Sequence, residues 1–143
     1  MQDFRKLNVW HEAHAHLLKV RKATHCFPRS GYATVRKQLI CSTESIPFNI
    51  VEGCGASTQK EFARFLDISI KSSSECEYQL ELVKDYGILP VLEWEGLAKK
   101  TVIIRKMLCK LRARVLESVE ETEETDETEE TQQSDEPDEA MED

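Results

Sequence analysis

Three groups of side chains in this 143-residue chain have the types and spacing that chemistry needs. They are the histidines of His11-Glu12-Ala13-His14-Ala15-His16, the polar residues Asn49, Glu52, Ser72, Glu75 and Gln79 at helical intervals, and a run of cations ending in Arg105, Lys106, Lys110, Arg112 and Arg114. The histidines invite a metal reading. A helical zinc site of the His-Glu-x-x-His type needs two imidazoles four residues apart, on one face. Here the second and third histidines follow His11 by three and five residues, so that spacing fails. His11 and His14 can share a face and catch adventitious metal, but a solvated helix face is the preferred reading. No nucleophile-elbow pattern accompanies any serine or cysteine. Gly53-Cys54-Gly55 lacks the spacing and the following Lys of a phosphate-cradling loop. The chain therefore reads as a non-enzyme, with no cofactor and no metal.

The polar residues tell a structural story first. Asn49 and Glu52 lie three apart, and Ser72, Glu75 and Gln79 follow one another at 3-4 spacing, on faces that otherwise carry apolar residues. Burying such groups without partners costs several kcal/mol, so they are expected to form a hydrogen-bonded network fixing helix register. A ligand- or partner-binding role is the alternative.

The cations gain weight from charge segregation. The whole chain is −8, yet residues 117–143 hold 15 of the 27 acids and no Lys or Arg, which leaves residues 1–116 with 19 bases against 12 acids. The body is thus basic, about +7, and the acidic pI belongs to a tail. A basic body suggests a polyanion-binding surface, and an acidic arm is its natural competitor. The candidate nucleic-acid-binding residues are Arg105, Lys106, Lys110, Arg112 and Arg114, with Lys99, Lys100, Arg36 and Lys37; Arg5, Lys6, Lys19, Arg21 and Lys22 add smaller clusters.

Four segments with helical periodicity must position these residues, and none alternates like a strand. The first spans about Asp3 to Cys26, with Asp3 as N-cap and Phe4, Leu7, Trp10, Ala13, Leu17 and Leu18 as its stripe. Phe27-Pro28-Arg29-Ser30-Gly31 breaks it. The second spans about Tyr32 to Glu52, with Val35, Leu39, Ser42, Ile46 and Ile50 or Asn49 along its seam; Pro47 inside it predicts a kink or local unwinding. After Gly53-Cys54-Gly55-Ala56-Ser57, either Ser57 or Thr58 N-caps a third helix, with a capping box offered through Thr58 and Glu61. Phe62, Phe65, Ser69, Ser72, Cys76, Leu80 and Val83 are expected inward, with Gly87 as its left-handed cap. The fourth starts near Pro90 or Leu92 and ends near Leu116, burying Leu97, Thr101, Ile104, Leu108, Leu111 and Val115. Four rods of similar length with short loops predict an all-α, up-down-up-down, left-handed four-helix bundle over residues 1–116. The acidic tail, 117–143, is expected to be disordered beyond about Val119. No apolar run spans a membrane, no secretory signal opens the chain, and five scattered cysteines without a Cys-x-x-Cys predict reduced thiols and a cytoplasmic setting.

Phe4-x-x-Leu7-x-Val9-Trp10, Phe27-Pro28, Gln38-Leu39, Ser45-Ile46-Pro47-x-Asn49-Ile50-x-Glu52-Gly53, Glu61-Phe62-x-x-Phe65-Leu66 and Ser72-x-x-Glu75-x-Glu77-x-Gln79-Leu80 follow in an order that carries a resemblance. Over roughly residues 4–112 the chain resembles the four-helix-bundle proteins encoded in 23S rRNA intervening sequences. That family is related to the accessory variability protein (Avd) of diversity-generating retroelements. Lys71 departs from it, standing where a small residue is expected, which predicts a local change in packing; the acidic tail lies outside the pattern. The resemblance implies a homopentamer around a central channel, a basic surface for nucleic acid, and no catalysis.

Five +7 bodies would carry about +35, enough for many phosphate contacts. The leading expectation is therefore an accessory protein binding structured RNA or DNA by phosphate and shape, with the acidic tail as competitor. Few exposed aromatics are available for base stacking. The alternative is a protein–protein scaffold without a nucleic-acid role, its interface drawn from apolars such as Ile88, Val91 and Trp94, with Trp10 in the core.

Overall fold

The computed structural model describes residues 2–133. Its elements are a short 3-10 turn, Phe4–Lys6, and four helices: α1 (Asn8–Thr24), α2 (Ala33–Cys54), α3 (Gln59–Asp85) and α4 (Val91–Gln133). Among the described residues there are no strands. α2 packs against α3, α3 against α4, and α1 against both α2 and α4. Partners fall in number on one helix as they rise on the next: Ser42 meets Gln79, Ser45 meets Ser72, and Ser69 reaches the Ile46 carbonyl. Trp94 likewise reaches Leu80, and Arg112 reaches Asp67, between α4 and α3.

Each boundary has a local cause. Asp3 caps the 3-10 turn rather than α1, accepting from the Arg5 N–H at 3.0 Å, and α1 starts only at Asn8. Thr58 Oγ1 accepts from the Glu61 N–H at 3.1 Å and opens α3. Gly87, at φ +65°, closes the turn after α3 in the left-handed region that glycine enters without a Cβ clash.

The α2, α3 and α4 seams are buried as the periodicity requires, including Val35, Leu39, Ser42, Ile46, Ile50, Cys76, Leu80, Val83, Leu97, Thr101, Ile104 and Leu108. α1 is rotated from the expected stripe. Val9, Ala13, His16, Val20 and Ala23 face inward, whereas Leu18 is 56% exposed. The inward set steps by 4, 3, 4 and 3, a bundle seam that a histidine in one slot disguises. Pro47 does not break α2, which runs unbroken through it. Lys71 causes no crowding, because it points to solvent.

The largest departure is α4. It continues as helix to Gln133, well past the end expected near Leu116, and its 43 residues make a rod of about 65 Å. Val115 is the last fully buried side chain among the described residues and Leu116 still packs against the core, so the helix projects past the core from about Glu120. The threonines at every third position find partners within the helix: Thr122, Thr125, Thr128 and Thr131 each donate to the carbonyl four residues back, at 2.7–2.8 Å, which satisfies their hydroxyls without strengthening the helix. Glutamate, a good helix former, fills most other positions. The tail reading for residues 134–143 lies outside the described residues.

α2 also runs two residues past its expected end, carrying Gly53 inside the helix. A Cβ on Gly53 would meet Phe62 Cδ2 at 2.6 Å, so glycine lets the start of α3 close against the end of α2. Phe62 is buried and cannot yield. Helix propensity alone would favour alanine by about 1 kcal/mol, but overpacking costs about 1–3 kcal/mol. Urea denaturation of Gly53→Ala is expected to show a net loss of roughly 1 kcal/mol. Gly96→Ala, in a helical position where a Cβ meets nothing within 4 Å, is expected to gain about 0.5–1 kcal/mol.

Candidate nucleic-acid interface and buried polar layer

The nine candidate cations separate into two sets. Four are engaged within the fold. Arg36 donates to the carbonyls of Thr24 (3.4 Å), Phe27 (3.4 Å) and Pro28 (3.0 Å), and its guanidinium lies 5.9 Å from the Phe27 ring centre, so it fastens the α1–α2 loop. Lys100 pairs with Glu12 at 2.6 Å, and its hydrogen bond, aided by its charge, holds the Glu12 carboxyl below the usual range. Arg105 pairs with Glu77. Arg112 Nε lies 3.1 Å from Asp67 Oδ1, an ion pair bent too far to be a hydrogen bond.

The other five, Lys37, Lys99, Lys106, Lys110 and Arg114, are exposed and have no ion pair among the described residues. Four of them sit on α4 at intervals of seven, four and four, which at 100° per residue places them on its outward face. Ile103, 40% exposed, lies in the same stripe. Lys110 and Arg114 also border a groove of about 460 Å³, with Lys6 and Leu7 across it and Met107 and Leu111 beside them. Charges on one helix face, with no ion pair among the described residues although Glu95 and Glu117 flank the stripe at its two ends, suit phosphate contacts.

The expected polar network exists in part. Ser72 Oγ lies 2.7 Å from Ser45 Oγ, Asn49 Nδ2 donates to Ser45 Oγ (2.9 Å) and to its carbonyl (2.8 Å), and Ser42 Oγ donates to Gln79 Oε1 at 2.5 Å. Glu52 and Glu75 do not join it: both are exposed, because a carboxylate can turn to water where a shorter serine cannot. Ser45 is the link that periodicity missed, its slot lying beside the seam rather than on it.

A second polar layer crosses the core and includes a side chain from every helix. His16 on α1 is 1% exposed, not on a solvated face, and its Nε2 lies 2.8 Å from Thr101 Oγ1 on α4. Thr101 Oγ1 spends its proton on the Leu97 carbonyl at 2.9 Å, so it accepts from His16, which assigns the imidazole proton to Nε2 and leaves Nδ1 a lone pair. That Nδ1 is buried without a partner among the described residues. Cys76 Sγ on α3 lies 3.8 Å from Thr101 Oγ1 and 3.3 Å from Thr43 Oγ1 on α2, whose own proton goes to the Leu39 carbonyl at 2.6 Å. Burial raises the Cys76 thiol pKa. Cys54 is also buried, Cys26, Cys41 and Cys109 are exposed, and all five are free. His11 and His14 stay outside the core, flanking Trp10, whose ring stacks on His14 at 5.0 Å. Among the described residues, no three His, Cys, Asp or Glu side chains converge to hold a metal, and no helix is long and apolar enough to cross a membrane.

Of the expected interface apolars, only Val91 is exposed. Ile88 is buried, and Trp94 donates its indole N–H to the Leu80 carbonyl at 2.8 Å under the Lys84 ammonium.

The family profile of the 23S rRNA-intervening sequence proteins matches residues 5–110, which is most of the bundle. The chain belongs to this family. A similar solved structure is a protein of unknown function from the S23 ribosomal protein family of Bacteroides thetaiotaomicron. It is 23% identical, with a TM-score of 0.68, over 73% of this chain and 97% of that one, a likeness of fold. No curated protein matches. The matched residues stop at 110, so the family accounts for the bundle and not for the acidic half of α4.

Burial, with the charges of Lys100 and Lys19 adding to it, lowers the His16 pKa to about 4. An unfolded histidine titrates near 6.5. The unfolded chain therefore binds more protons between these values, and stability held above pH 6.5 is lost as pH falls toward 4, by up to roughly 3 kcal/mol from this residue. Urea midpoints from pH 7 to 5 are expected to fall more steeply for the wild type than for His16→Leu; parallel slopes would refute a buried neutral imidazole.

Proposed function

We propose that this protein is a non-catalytic, oligomeric nucleic-acid-binding bundle that holds structured RNA or DNA by phosphate and shape contacts. The observation that carries the reading is the outward stripe of Lys99, Lys106, Lys110 and Arg114, four cations without an ion pair among the described residues, while their neighbours Lys100, Arg105 and Arg112 are neutralised within the fold. Lys37 adds to it from α2. The descending register of partners between successive helices supports an up-down-up-down bundle, and the 3-4 spacing of the seams suits left-handed packing. Membership in the family supports assembly as a homopentamer, which would multiply the charge of one stripe. An oligomer also suits the α2–α3 face, where Phe48 and Tyr78 are each 64% exposed beside Ile68. The acidic extension competes with nucleic acid for the stripe. The same Phe48–Tyr78 face is what favours the second reading, a protein–protein scaffold, and a cytoplasmic setting fits either.

Fluorescence anisotropy with a labelled RNA hairpin, from low to physiological salt, tests the proposal. The wild type is expected to bind with affinity falling steeply with salt. Lys106→Glu/Lys110→Glu/Arg114→Glu is expected to lose at least tenfold in affinity, and the log–log salt slope to shrink by about one per cation lost. Arg105→Ala, whose guanidinium already faces Glu77, is expected to leave the slope unchanged. No binding by the wild type at low salt sinks the nucleic-acid reading in favour of the scaffold.

A further inference from the structure

We propose that the acidic half of α4 docks on the cationic stripe of a second copy of this chain, with the two α4 helices antiparallel. The docking stands on α4 alone; only its consequence, that the arm shields the stripe from nucleic acid in trans, rests on the reading above.

The first observation is one face with two signs. Lys99, Ile103, Lys106, Lys110 and Arg114 continue at three- and four-residue steps into Glu117, Glu121 and Glu124, all on the outward side of one unbroken helix. The second is continuity. A helix with no break between Val91 and Gln133 cannot fold back, so the arm cannot cover the stripe of its own chain. Competition within one molecule is closed by geometry.

The third observation is unsatisfied repulsion. Glu117 and Glu121, Glu120 and Glu124, Glu123 and Glu127, and Asp126 and Glu130 are like-charge pairs four apart, each destabilising to the helix. Negative charge toward the C-terminal end also opposes the helix dipole. Against these acids the described residues offer one cation from outside α4, Lys60, 3.9 Å from Glu123 with both side chains largely exposed. A helical arm with this sequence calls for counter-charge, and the stripe of another copy supplies it.

The lengths agree. From Lys99 to Arg114 is about 22 Å along the axis and from Glu117 to Glu130 about 20 Å. A two-fold axis placed between Arg114 and Glu117 sets Arg114 against Glu117, Lys110 against Glu121 and Lys106 against Glu124 of the second copy, and Ile103 against its Thr128. By symmetry each contact occurs twice, as in any isologous interface. The bundles then lie on opposite sides of the paired rods. Such pairs are exposed, so the association is salt-sensitive.

Sedimentation of the full chain and two charge-reversed full-length variants tests this. One variant carries Lys106→Glu, Lys110→Glu and Arg114→Glu; the other carries Glu117→Lys, Glu121→Lys and Glu124→Lys. The wild type is expected to reach at least twice its high-salt mass at low salt. Each variant alone is expected to keep its high-salt mass, and an equimolar mixture to regain the larger species. A wild-type mass indifferent to salt, or a mixture that fails to associate, overturns the docking. Anisotropy with the RNA hairpin on Glu117→Gln/Glu121→Gln/Glu124→Gln separates the two ideas. RNA binding without wild-type association leaves the nucleic-acid surface standing and removes the docking; association without RNA binding does the reverse.

Discussion

The layer of His16, Thr101, Cys76 and Thr43 is the constraint on which the rest of this bundle depends, because apolar stripes alone would not fix how four helices stand against one another. Leucine, isoleucine and valine seams can slip along each other with little change in buried area. A hydroxyl, a thiol and an imidazole in the core cannot, since every slip strands a polar group. Here each hydroxyl proton has a carbonyl in its own helix, at Leu39 and Leu97, which leaves the oxygen to accept from a neighbouring helix. One side chain per helix meets in this layer, so it sets all the heights together. The arrangement carries a cost at His16 Nδ1, which has no partner among the described residues, and burial, with the charges of Lys100 and Lys19, keeps the imidazole neutral.

From that register follow the closer contacts on one side of the bundle. Ser42, Ser45, Ser69 and Ser72 and the glycine at 53 make α2 and α3 thin toward each other, and the serine hydroxyls link the two helices, side chain to side chain or, for Ser69, to the Ile46 carbonyl, instead of filling space. Ser69 donating to the Ile46 carbonyl at 2.9 Å sits beside Pro47, where the helix has lost a backbone donor, so the third helix braces the second at its weakest turn. α4 is held differently, by the Leu97–Thr101–Ile104–Leu108 seam and by surface ion pairs to Asp67 and Glu77, and its outward face is left without duties in the fold.

Much of this was legible in the sequence. The helices, the seams of α2, α3 and α4, and the presence of polar contacts at Asn49, Ser72 and Gln79 follow from 3-4 spacing and from the polar residues interrupting it, whereas their pairing with Ser45 and Ser42 did not. The α1 face was hidden because His16 fills a core slot; reading Val9, Ala13 and Val20 as the frame exposes it. Glu52 and Glu75 were misplaced because spacing cannot tell a seam from its edge, and a carboxylate at the edge escapes to water. Pairing was also invisible: Arg105 and Arg112 read like Lys106 and Lys110 until α3 brings Glu77 and Asp67 beside them. The end of α4 was placed too early because the apolar seam stops near Val115, while a glutamate-rich run can carry an already formed helix onward.

The rigidity of α4 fixes a charge separation that a floppy tail would average away. The cations near its middle and the nine acids between Glu117 and Glu130 are held on one straight axis, their centres about 25 Å apart. The molecule is consequently a strong permanent electric dipole. In the field of a polyanion such a body experiences a torque as well as a pull, and it turns its bundle forward and its arm away before any atom touches. The angle of arrival is thus decided at long range, by the shape of one helix.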